Sequence, residues 1–103
     1  MLRSDTISDS AEPVQAHLTI RGLVQGVYFR ARLKERAGTE GVGGWARNVP
    51  DGSVEALLVG SRADVDAVIA WARVGPAGAT VESVAVQWAP RTADPIAHGF
   101  EIR

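Results

Sequence analysis

From Ala16 to Arg21 apolar and polar positions alternate with a period of two. Leu18 and Ile20 stand against Thr19 and Arg21, which predicts a strand with one buried face. Past a stretch containing Gly22 and Gly26 the period changes. Phe29, Leu33 and Ala37 recur every four residues, while Arg32, Lys34, Glu35 and Arg36 fall mostly elsewhere on the wheel. This predicts an amphipathic helix of about three turns, stopping near Gly38 to Gly41. Val42 to Val49 reads as a second strand, weakened at its start by Gly43 and Gly44. Pro50-Asp51-Gly52 is a turn signal and Ser53 to Val59 is β-rich, so these two strands form a hairpin that ends at Gly60-Ser61.

Ser61 with Asp64 three residues later makes a capping-box-like start to a second helix. Within it Val65, Val68, Ile69 and Ala72 follow the i, i+3, i+4, i+7 stripe, and Gly75-Pro76-Ala77-Gly78 stops it. From Val81 to Ala89, Val84, Val86 and Trp88 alternate with Ser83, Ala85 and Gln87, a half-buried strand. Pro90 to Pro95 reads as a loop, and Phe100-Glu101-Ile102 as a short closing strand. The order is β-α-β-β-α-β plus a short C-terminal strand. Two βαβ-type crossovers joined by a hairpin predict an α+β, ferredoxin-like sandwich, with an antiparallel or mixed sheet carrying both helices on one face. That arrangement hosts enzymes, RNA binders and regulatory modules alike, so it names no function.

Composition narrows the possibilities. At 103 residues the chain has the length of one domain. Residues 1–14 are polar, with three serines, three acids and Pro13, and are expected to form a disordered tail ahead of a domain at 15–103. Eleven basic residues against twelve acidic ones leave a net charge of −1, which gives no broad electrostatic attraction to nucleic acid or anionic membrane. The absence of cysteine excludes disulfides, zinc–thiolate sites and a cysteine nucleophile. No signal-like or membrane-spanning apolar run occurs, so a cytoplasmic monomer is expected.

The candidate chemistry centres on Gly22-Leu23-Val24-Gln25-Gly26-Val27-Tyr28-Phe29-Arg30, which passes from strand to helix. Two glycines allow close backbone approach, and free amides entering a helix N-terminus favour an anion. The stretch is neither a Walker A loop nor the G-x-G-x-x-G dinucleotide fingerprint. A tight turn needing two glycines would explain it equally well. Arg30 tilts the balance, because a cation in the first turn opposes the helix dipole and a bound anion would reverse that cost. Arg32, Lys34 and Arg36 read as a solvated face. Asn48, just ahead of the turn, is either a turn-forming side chain or a neutral group that could hold a water molecule. His17 and His98 are too few for a metal site or triad, and Trp45, Trp71 and Trp88 read as packing rather than a base-stacking platform.

These residues carry a resemblance. Residues 22–30 resemble the G-x-V-Q-G-V-x-F-R signature of the acylphosphatases. Gly44-Trp45-Ala46-Arg47-Asn48 with Asp51-Gly52-Ser53-Val54-Glu55 resembles their second signature, G-W-x-x-N-x-x-D-G-x-V-E. Gly75-Pro76, Ala79 and Gly99-Phe100-Glu101 also match, so the resemblance spans residues 16–103. Ala46 stands where a larger aliphatic residue is usual, and Val49 where a small polar one is common, a change that bears on rate.

The resemblance implies hydrolysis of small acyl phosphates to carboxylate and phosphate, without metal or cofactor. It implies that Arg30 and the amides of Gly22, Leu23, Val24, Gln25, Gly26, Val27 and Tyr28 bind the phosphate, and that Asn48 positions the attacking water. A non-catalytic anion-binding module on the same fold is the alternative. The related domain of hydrogenase-maturation proteins is accompanied by cysteine-rich zinc modules, which a chain without cysteine does not carry.

Overall fold

A computed structural model describes residues 13–90 and 99–103. Within them the chain runs β1 (Pro13–Leu23), α1 (Phe29–Glu40), β2 (Gly43–Asn48), β3 (Val54–Ser61), α2 (Arg62–Val74), β4 (Thr80–Pro90) and β5 (Phe100–Ile102). The five strands form one sheet in the order β4-β1-β3-β2-β5. Neighbours are antiparallel except β2 and β5, which are parallel. This is the expected ferredoxin-like α+β arrangement, with β3 inserted between β1 and β2.

One layer of side chains joins sheet to helices. Leu18, Ile20, Ala56 and Leu58 from the strands pack with Leu33 and Ala37 of α1 and Val65 and Val68 of α2 in a single buried cluster. Both helices therefore lie on one face. The opposite face carries His17, Glu55 and Trp45, where His17 Nε2 lies 2.6 Å from Glu55 Oε2 and Arg47 pairs with the other carboxylate oxygen.

The helix ends follow their sequence signals. Ser61 caps α2 by accepting from the Asp64 amide at 3.2 Å. Gly75 ends it at φ 76° and ψ 176°, an extended positive-φ conformation open mainly to glycine, its amide donating to the Trp71 carbonyl. Gly41 (φ 73°) ends α1, and the following Val42 amide donates back to the Ala37 carbonyl at 2.8 Å. The tryptophans pack as expected. Trp71 lies 5.5 Å from the Phe29 ring, and Trp88 lies beneath the Arg62 guanidinium at 3.7 Å.

Several boundaries differ from the sequence reading. β1 starts at Pro13, so Pro13 and Val14, read as tail, are strand residues paired with Ser61 and Gly60 of β3. The same pairing carries β3 through Gly60 and Ser61, where an end was expected. Cross-strand partners extend both strands beyond what their own composition supports. β1 also continues through Gly22 and Leu23, opposite Val81 and Thr80, after a bulge between Arg21 and Gly22. The rest of the expected tail, most of the loop after Pro90, and His98 lie outside the described residues.

Candidate active site

The segment after β1 folds around two side chains that point in different directions. Val24 is buried in the core, and Gln25, half-buried, reaches the hairpin turn. Gly26 (φ 78°) and Tyr28 (φ 62°) are left-handed on either side of Val27. Tyr28 is the only described non-glycine residue with positive φ. Such alternation curls successive amides into a concave nest. Tyr28 also caps α1 with no side-chain hydrogen bond, and no acidic residue stands in the first turn. The positive end of α1 is therefore offered outward, uncompensated by its own sequence.

What it faces is a cavity of about 340 Å³. Val24, Gly26, Tyr28 and the first-turn residues Phe29, Arg30 and Ala31 form one side. Asn48, at the last β2–β3 pair, and Ile102 of β5 complete it. Arg30 is half-buried, and its Nη1 donates to the Arg103 carbonyl oxygen at 3.3 Å.

The turn bearing Asn48 is closed by its own hydrogen bonds. The Val49 amide donates to the Ser53 carbonyl at 2.9 Å, and the Gly52 amide to the Val49 carbonyl at 3.0 Å. Asp51 Oδ1 accepts from the Ser53 hydroxyl at 2.6 Å and the Ser53 amide at 2.9 Å. These bonds hold the Asp51 carboxyl below its ordinary range, the hydroxyl bond most strongly, with Arg21 adding to the effect.

Of the residues singled out by sequence, the cavity brings together Arg30, Asn48, Val24, Gly26 and Tyr28. The others are not among its lining residues. Gly22 and Leu23 belong to the β1–β4 ladder, and a Cβ on Gly22 would run into the Thr80 carbonyl oxygen, so the glycine serves close strand approach. Val27 packs against the core, and Gln25 bridges loop and turn through its side chain. Sequence reasoning did not single out Ile102 as a cavity residue. It carries no local signal there, because only parallel pairing of β5 with β2 brings it to the cavity.

Arg32 is exposed and pairs with Glu35, as a solvated helix face would, whereas Arg36 pairs with Glu40 in a half-buried setting with its Nε covered. Among the described residues no three metal-ligating side chains cluster, and no helix is long and apolar enough to cross a membrane.

Known proteins share both this sequence and this shape. The chain is 59% identical over 78 residues to an acylphosphatase of Pyrobaculum arsenaticum, covering 75% of this chain and 82% of that one. It is 48% identical over 97 residues to an acylphosphatase of an Acidovorax species, covering 94% and 97%. The crystal structure of acylphosphatase from Bacillus subtilis superposes with a TM-score of 0.82 at 27% identity, over 87% of this chain and 98% of that one. The acylphosphatase family model matches residues 16–102, the span from β1 to β5, and the chain is a member of the acylphosphatase family.

Proposed function

We propose that the protein hydrolyses small acyl phosphates to a carboxylate and inorganic phosphate. The observation that carries this reading is that Arg30 and Asn48, from separate elements, line one cavity with the amide-rich start of α1. In this reading the amides curled between Gly26 and Tyr28 and the Arg30 guanidinium hold the phosphoryl oxygens, while Gly22 and Leu23 anchor the loop in the sheet. Phosphoryl transfer spreads charge over the equatorial oxygens, so fixed amide dipoles and a planar cation supply most of the stabilisation.

Asn48 orients a water molecule for in-line attack. The water oxygen bonds to phosphorus as the bond from phosphorus to the acyl oxygen breaks, and its electron pair leaves on the carboxylate. One water proton remains on the incoming oxygen and the other passes to a phosphoryl oxygen, so no protein base is required. A carboxylate is a stable leaving group and needs no strong general acid. The same reading takes the protein as a monomer acting in the cytoplasm, supported by its domain-sized, cysteine-free chain. Sedimentation and cell fractionation test both points.

The deciding assay is phosphate release from benzoyl phosphate in the presence of EDTA. The hydrolase reading predicts turnover that collapses in Arg30→Ala. A wild-type protein that binds phosphate and never turns over would be an anion-binding module instead.

A further inference from the structure

We infer that the side chain of Gln25 is a positioning residue that fixes Asn48 against the phosphate loop, and that its contribution is to rate rather than to phosphate binding. This rests on the hydrolase reading above. Gln25 Nε2 donates to the Val49 carbonyl at 2.7 Å and to the Ser53 carbonyl at 2.9 Å, across 24 and 28 positions of sequence. An amide nitrogen has two protons, and both are used. The orientation of the amide follows from the network, because its oxygen facing two carbonyl oxygens would be repulsive.

The two acceptors sit at the neck of the turn, where the Val49 amide and the Ser53 carbonyl already meet. Asn48 immediately precedes that neck and pairs with Val54, immediately after it. The internal bonds of the turn fix its shape but not its distance from the loop. Gln25 supplies a link at the neck, through a side chain whose backbone stands one residue from Gly26 in the cavity wall, while the exposed Arg21–Asp51 pair ties the turn tip to β1.

The consequence is a separation of effects. Each carbonyl keeps a backbone partner when Gln25 is replaced, Gly52 for Val49 and Val49 for Ser53. The turn should therefore survive the loss while its seat against the loop loosens. In-line attack tolerates little misplacement: a displacement of about 1 Å can cost on the order of 100-fold in rate. The loop amides and Arg30 do not depend on the link, so phosphate affinity should persist.

The test compares Gln25→Met, similar in length and unable to donate, and Gln25→Ala, which removes the side chain beyond Cβ without adding charge beside the anion-binding loop. Each is measured for thermal unfolding, kcat on benzoyl phosphate and inhibition by inorganic phosphate, alone and combined with Asn48→Ala. The expected result is a kcat loss of about 10- to 100-fold with phosphate inhibition within about twofold of wild type, and little further loss when Asn48 is already alanine. If phosphate affinity falls in parallel with kcat, or the full loss persists in the Asn48→Ala background, the inference is overturned and the hydrolase reading stands. If wild type binds phosphate without turnover, the hydrolase reading falls and takes the inference with it. Gln25→Ala keeps the test decisive should methionine fail to fold at this half-buried position.

Discussion

Arg30 and Arg103 are joined by a hydrogen bond from the Arg30 Nη1 to the main-chain oxygen of Arg103 at 3.3 Å, across 73 positions of sequence. The cation of the candidate site is thus held from behind by the chain that follows β5, on the strand pair that also places Ile102 at the cavity. A guanidinium can keep such a tether while presenting its remaining donors as a fork, which an ammonium cannot do. Arg30→Ala is expected to lower kcat/KM on benzoyl phosphate by about 10³-fold or more, the scale of a lost phosphoryl-binding arginine. Arg30→Lys keeps the charge but loses the planar pair of donors, and should recover only a small part of that loss. Steady-state kinetics on both variants checks the ordering.

Asn48 is expected to separate from Arg30 in the same assay. It stands on the turn side of the cavity and is neutral, so removing it leaves the loop amides and the guanidinium in place. Asn48→Ala should lower kcat by roughly 10²-fold or more while inorganic phosphate still inhibits within a few-fold of wild type. Loss of phosphate inhibition with kcat preserved would assign Asn48 to binding instead.

Much of this site was legible locally, and the remainder is long-range. The turn at Pro50-Asp51-Gly52, the serine cap at Ser61 and the apolar stripe Phe29-Leu33-Ala37 are encoded within a few residues, so periodicity and turn chemistry locate them. The link from Gln25 to Val49 and Ser53 and the bond from Arg30 to Arg103 connect segments that only the sheet order brings together. Nothing in the local pattern specifies them. The extensions of β1 to Pro13 and β3 to Ser61 fail for the same reason: glycine and proline read as strand enders, while pairing across the ladder overrides that tendency.

On the open face of the sheet, Glu55 accepts from His17 and Arg47. The His17 hydrogen bond first, and Arg47 after it, hold the Glu55 carboxyl below its ordinary value of 4.5, against the opposing effect of burial. A carboxylate with a depressed folded-state pKa stabilises the fold fully above its unfolded value and loses that contribution as pH falls through the folded one. Replacing Glu55 by glutamine should therefore cost about 1 kcal/mol at pH 7, and the difference from wild type should shrink as pH drops below about 4.5. Urea unfolding at pH 7 and at pH 3 measures it. A constant difference at both pH values would mean that the carboxylate charge contributes nothing to stability.

Two glycines offer opposite outcomes from the same substitution, and together they test how β2 carries Asn48. Gly38 lies within α1 at an ordinary helical φ, and an added Cβ there meets nothing within 4 Å. Gly38→Ala removes backbone freedom from the unfolded chain and raises helix propensity, so it should stabilise by about 0.5–1 kcal/mol and leave kcat unchanged. Gly44 lies in β2 at φ 131°, and an added Cβ would run into the Leu57 carbonyl oxygen, backbone that cannot rotate away. Gly44→Ala should therefore destabilise by about 2–4 kcal/mol through strain and forced separation of β2 from β3. Because Asn48 is the last β2 residue paired with β3, that separation should also reach the cavity. The folded fraction of Gly44→Ala is then expected to show a lower kcat than wild type under conditions where it remains fully folded by circular dichroism. A Gly44→Ala protein that is destabilised but keeps wild-type kcat would place the strain away from Asn48 and leave the turn, held by Gln25, as the element that sets its position.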